Sequence, residues 1–161
     1  MSDQSLYDED ILLWSEQQAA AVRKLGRTRA LANELDIENI AEEIESVGRS
    51  ELAAVRSHIR LILLHLMKLA VDEGSQAERH LRGEIVAFHA ELVERYTPSM
   101  RQRIDLDALW RSASEQAMIA YDERSRDIAE KLPAHCPFTL DELLADRIDI
   151  LALQARLSPA V

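Results

Sequence analysis

Apolar residues recur at gaps of three and four through Ile37, Ile40, Ala41, Ile44 and Val47, then Leu52, Val55, Ile59, Ile62, Leu66 and Leu69. That spacing marks one face of an α-helix, since a strand would alternate. Asp36 is a fitting N-cap, and Glu38 sits where the helix dipole favours negative charge. The pattern predicts one central helix from Asp36 to Val71, extending about 54 Å at roughly 1.5 Å per residue. Gly48 costs on the order of 1 kcal/mol relative to Ala inside such a helix. Ser50 is able to cap a second helix, so a break is the alternative; continuity is favoured.

Turning each residue by about 100° places Glu38, Glu42 and Glu45 on one line, across the helix from Ile37, Ile44, Val55 and Ile62. Past Leu61 the distinction vanishes, because Leu61, Leu63, Leu64 and Met67 fill the formerly polar side. A helix apolar all round is buried all round. Its second half is therefore the middle of a bundle or part of a subunit interface.

Shorter helices are expected on either side. The first begins at Tyr7–Trp14 with Asp8 as N-cap, Tyr7 stapled onto Leu12 and Gly26 as C-cap. Arg27–Glu34 is one more helical turn or a linker. The third opens on the capping box Ser75-Gln76-Ala77-Glu78, carries Leu81, Ile85, Phe88, Leu92 and Tyr96 on its apolar stripe, and ends at Pro98. A fourth starts at Asp105 or Asp107 and runs through Leu109, Trp110, Ala113, Ala117, Tyr121 and Ile128 towards Pro133. Thr139-Leu140-Asp141-Glu142 is a second capping box, and Ile148–Leu157 reads as a last helix, packing on this chain or on another.

Composition narrows this to an all-α helical bundle of four to six helices. With 161 residues, four Gly and four Pro, no run of alternating β-branched residues emerges. The length suits a single domain over 1–161, with a core about 7–150 and a C-terminal helix or tail over 148–161. A chain of this size buries roughly 70% of its unfolded surface without metal or disulfide support. The net charge of −10 opposes generic nucleic-acid binding. The single cysteine fits a reducing compartment, and the N-terminal residues lack a signal-peptide pattern. No apolar run, Leu61–Leu64 included, approaches the roughly 20 residues that span a bilayer. The expectation is a soluble cytoplasmic protein with no nucleic-acid or membrane partner.

Three blocks occur in order: YDEDILLW (Tyr7–Trp14), LDIENIAEEIESVGRSE (Leu35–Glu51) leading into LILLHLMK (Leu61–Lys68), and HCPFTLDELL (His135–Leu144). Together they resemble the bacterial domain-of-unknown-function family numbered 29, over roughly Tyr7 to Ile150, with the central block the specific one. Family members often carry an aromatic where Ile11 stands, a Trp where Leu69 stands and a Trp-containing segment near Leu81, departures that bear on local packing. The resemblance implies an all-helical bundle and no activity.

Candidate chemistry is sparse. A metal or acid–base site would draw on Glu42, Glu45, His58, His65, His80 and Glu84, with Glu38 and His89 nearby in type. Bundle metal sites characteristically use Glu-x-x-His pairs, and none occurs in this chain. His58 and His65 share a line roughly opposite the glutamates, and Glu42 lies about 24 Å from His58 along the helix. The plainer account has Glu42 and Glu45 solvated or paired, Glu45 with Arg49, and His58 and His65 hydrogen-bonded beside the core. His80 and Glu84, four apart, read as a surface pair. Cys136 beside His135 lacks the spatial arrangement of a nucleophile and its base, and Arg23, Lys24, Arg27 and Arg29 read as a solvated helix end.

The functional expectation is a non-enzymatic protein–protein interaction module, binding a protein partner or forming a homo-oligomer such as a homodimer through the apolar excess of Leu61–Leu69 and the C-terminal segment. No cofactor is expected. The alternative is a metal-binding or metal-dependent hydrolase-like bundle that gathers a divalent metal with His and Glu from several helices.

Overall fold

The computed structural model describes residues 3–27, 35–71, 76–120 and 132–157. Ser75 of the first expected capping box, Arg29, Tyr121 and Ile128 lie outside the described residues. Among those described there is no strand. The helices are α1 (Asp3–Glu9), α2 (Ile11–Gly26), α3 (Ile37–Val71), α4 (Glu78–Arg95), α5 (Leu106–Ala120), α6 (Leu140–Leu143) and α7 (Ile150–Ala155), with a 3₁₀ helix at Pro98–Arg103. None of them is long and apolar enough to cross a membrane. The central helix is continuous through Gly48, as its spacing predicts. The chain forms two compact units, Met1–Ala54 with Arg95–Ile104, and Val55–Glu94 with Asp105–Val161.

In the first unit, the predicted opening helix is two helices. The division falls at Asp10, which caps α2 in place of Asp8, with its carboxylate accepting from Leu13 N at 3.1 Å. The same carboxylate accepts from Ser99 Oγ at 2.6 Å, Ser99 N at 2.9 Å and Thr97 Oγ1 at 3.0 Å. Burial pushes its pKa up, but these donors, led by Ser99, outweigh burial and hold it below the ordinary carboxylate value. Tyr7 meets Trp14 edge to face at 4.8 Å. Gly26 is the last residue of α2, not its C-cap, which is Arg27. A Cβ at Gly26 would lie 2.6 Å from Ile37 Cγ2.

Gly48 is buried, and a Cβ there would overlap Ser15 Oγ and stand 3.0 Å from the Leu12 backbone. The glycine therefore marks a close approach of α2 to α3, where Ser15 satisfies its own hydroxyl by donating to Leu12 O at 2.9 Å. Arg23 on α2 reaches Glu38 at 2.9 Å and Glu45 at 3.0 Å on α3.

In the second unit, α3 supplies a run buried without interruption from Ile62 to Met67. It meets α4 through His65 with Glu84 and Phe88, α5 through Met67 with Ser114, and the last helix through Leu69 with Gln154. Leu81, Ile85 and Leu92 of α4, Leu109, Trp110, Ala113 and Ala117 of α5, and Leu153 and Leu157 are buried in the same unit. The small residues of α5 allow the close approach in which Ser114 Oγ sits 3.7 Å from Met67 Sδ. Trp110 donates its ring N–H to Pro133 O at 2.8 Å and meets Phe138 edge to face. Asp105 caps α5 by accepting from Ala108 N. The buried Gln154 donates to Leu69 O and accepts from Arg82, so the last helix packs on its own chain. Of the two settings open for the second half of α3, the bundle interior is the one observed.

Two stability measurements check these contacts. Gly48→Ala gains helix propensity of about 1 kcal/mol, but overpacking costs about 1–3 kcal/mol. Net destabilisation in urea unfolding is expected, whereas Gly83→Ala, where a Cβ meets nothing within 4 Å, should stabilise by about 0.5–1 kcal/mol. Asp10→Ala removes a helix cap and leaves buried donors unpartnered, for a loss of about 2–4 kcal/mol at pH 7. Because the folded-state pKa of Asp10 lies below its unfolded value of 3.8, its contribution is complete above that value and declines as pH falls through the folded one. The difference between wild type and Asp10→Ala should therefore narrow below about pH 4; a gap independent of pH would contradict this account.

Candidate functional site

The α4 sequence holds two apolar stripes. One, through Leu81, Ile85 and Leu92, is buried. The other runs through Val86, Ala90 and Val93 at spacings of four and three, and its valines are 55% and 41% exposed. Beside it lies the α6–α7 connection, and between the two is a groove of about 1020 Å³. The far side is closed by Ile148, Ile150 and Leu151, the last 68% exposed.

The connection is held in place by several polar contacts. His89, buried on α4, bridges to Ala145 O through Nε2 at 2.9 Å; a carbonyl accepts only, so Nε2 carries the proton. Thr139 and Glu142 form the predicted capping box at the start of α6. Arg156 grips Glu142 with two hydrogen bonds of 2.7 and 3.2 Å, donates to Pro137 O and lies over the Phe138 ring. The Arg156 guanidinium, then the Thr139 amide, lower the Glu142 pKa to about 2. Asp149 caps α7 by accepting from Ala152 N. These contacts tie the α6–α7 connection to α4 and to the ends of its own two helices. Its rim carries Glu94, Asp146 and Asp149 against one cation, Arg147.

The residues expected of a metal or acid–base site are placed as follows. Glu42 is exposed, and Glu45 is paired with Arg23 and, at 3.4 Å, with Arg49. Arg23 above all depresses the Glu45 pKa. The arginine of α2 is thus the partner of the glutamate stripe, not only a solvated helix end. In the second unit His65, His80 and Glu84 do come together. His65 Nε2 lies 2.9 Å from one Glu84 oxygen, and His80 Nε2 lies 3.5 Å from the other. His65 Nδ1 also contacts Leu61 O at 2.7 Å, so it donates there. Among the described residues no group of three or more His, Cys, Asp or Glu could hold a metal ion.

His58 and His65 both pack on Phe88, with ring centroids 6.3 and 5.3 Å away. His65 is hydrogen-bonded as expected, but His58 Nδ1 is buried with no partner among the described residues. Cys136 is no activated nucleophile: burial pushes its thiol pKa up, and Sγ lies 3.7 Å from Phe138 O. Asp107 holds this loop, accepting from Cys136 N at 2.8 Å and meeting His135 at 3.3 Å. The Cys136 amide chiefly lowers the Asp107 pKa.

The groove is what the sequence reading passed over. Its signal was present in Val86, Ala90 and Val93, the apolar residues of α4 that the buried stripe does not use. What no spacing could indicate is that the α6–α7 connection lies alongside them, some fifty residues onward in the chain.

The fold is similar to that of an α-helical protein of unknown function from Rhodospirillum rubrum ATCC 11170, whose crystal structure was determined at 1.45 Å resolution. The two share 35% sequence identity and a TM-score of 0.85, over 95% of this chain and 98% of that one. No curated protein matches the chain. The family model described as domain of unknown function DUF29 matches residues 6–148. A match of that extent means that the chain belongs to the DUF29 family.

Proposed function

We propose that this protein is a non-enzymatic protein–protein interaction module that docks a helix of a partner protein in the groove beside α4. The carrying observation is the second apolar stripe of α4, exposed along a preformed trough. Apolar residues scattered singly on a surface need no explanation, but contiguous ones beside a concave wall are characteristic of binding sites. The stripe has helical pitch, so a partner helix can lay its own ridge between Val86, Val93 and Leu151. No strand edge is present among the described residues for an extended peptide to join.

The apolar excess of Leu61–Leu69 plays no part in this reading, because most of it is buried within its own unit. The groove replaces it as the contact surface. Full burial of a valine or leucine contributes about 1.5–3 kcal/mol, and association entropy offsets much of that. A reversible contact, not an obligate one, fits so small a patch.

Site-specific photo-crosslinking in the native cells tests this. A photoreactive residue at Val93 or at Leu151 should give adducts with another protein, while the same residue at exposed Glu115 on α5 should give none. Val86→Asp should remove the adducts formed from Val93. Equal adducts from all three positions, or none from the groove, would overturn the proposal.

A further inference from the structure

The charges around the groove specify what kind of helix it accepts. Glu94 lies at the α4 side, and Asp146 and Asp149 lie on the connection opposite, with Arg147 the single cation among the lining residues. Asp149 already serves as a helix cap. Glu94, Asp146 and Arg147 are exposed, and no ion pair engages them among the described residues. An apolar trough with carboxylates on both banks attracts a ligand whose apolar face is bordered by positive charge, and repels one bordered by negative charge.

A second copy of this chain is disfavoured as the occupant by the same charges. A two-fold contact would bring each patch against its own kind. Three carboxylates against one arginine give each patch a net negative charge, so the two would repel, in a chain whose net charge is already −10. Resting on the docking function proposed above, we infer that the occupant is a cationic amphipathic helix of another protein, with apolar residues at i, i+4 and i+7 flanked by Lys or Arg. The Val86-to-Val93 stripe rises about 10 Å, or two helical turns, which sets the length of ligand helix that the groove reads.

Two fluorescently labelled synthetic helices of equal length and identical leucine spacing form the test, one flanked by Lys and Arg and the other by Glu. They are titrated against the full chain by anisotropy. The basic helix should bind at least about tenfold more tightly, with the difference shrinking as salt rises. Leu151→Asp should abolish binding of the basic helix while leaving the thermal melt unchanged, since that side chain is exposed. The double variant Glu94→Lys, Asp146→Lys should reverse the preference.

Equal affinities that Leu151→Asp still abolishes would overturn the charge selection and leave the groove as a docking site. Binding of the basic helix that survives Leu151→Asp would overturn the inference too, by showing attraction to the acidic surface at large. Failure of both helices to bind the folded chain would remove the docking function together with its refinement. Sedimentation should show a monomer; self-association lost in Leu151→Asp would make a second copy the occupant and overturn the inference.

Discussion

Six successive residues of α3, Ile62 to Met67, are shielded from water. Since a helical turn takes about 3.6 residues, six in a row look outward in every direction, and neighbours must stand on every side. That requirement shapes the second unit. It needs α4 on one flank, the alanine-lined face of α5 on another, and the C-terminal residues Leu153 and Leu157 to complete the cover. The five apolar members of the run contribute on the order of 10 kcal/mol through burial. The sixth is His65, and a buried imidazole without partners would detract about 1–3 kcal/mol from that sum. Leu61 O and Glu84 prevent the loss. Glu84 is best understood as a consequence of the burial around it.

The same logic separates what was legible in the sequence from what was not. The long helix follows from local periodicity, as do the caps at Asp105 and Thr139, each satisfied within three residues. Asp10 is different. Its cap to Leu13 is local, but the donors from Thr97 and Ser99 arrive from nearly ninety residues away, and those donors make it the hub of its unit. Arg23 was visible as a charge at a helix end, while the glutamates it joins stand fifteen and twenty-two positions on. Gly48 shows the limit most plainly. Taken alone it weakens a helix, and only Ser15 and Leu12 on the facing helix explain why any larger residue would be worse.

The candidate site was half legible for a related reason. An amphipathic helix is expected to have one apolar face, so the buried stripe of α4 accounts for the pattern and obscures a second stripe beside it. The histidines drew notice because imidazoles carry chemistry, yet their surroundings give them structural work. His89 proves relevant to the groove through the hydrogen bond its Nε2–H donates to Ala145 O on the α6–α7 connection. That bond, the Glu142–Arg156 clasp and the buried Ile148 together fix a short connection that would otherwise carry little order of its own.

The division of labour along α4 carries the functional argument to its end. Leu81, Ile85 and Leu92 are accounted for by the core that they fill. Val86, Val93 and Leu151 are not, since each keeps 41% or more of its surface in water. Polar residues at those positions would serve solubility better and would leave the core as it is. One exposed apolar side chain is ordinary on any protein surface. Three that border one trough, with carboxylates on both banks, are the observation on which the proposed docking rests. The fold of this family member therefore presents two apolar surfaces with opposite fates, one consumed in making the bundle and one left available.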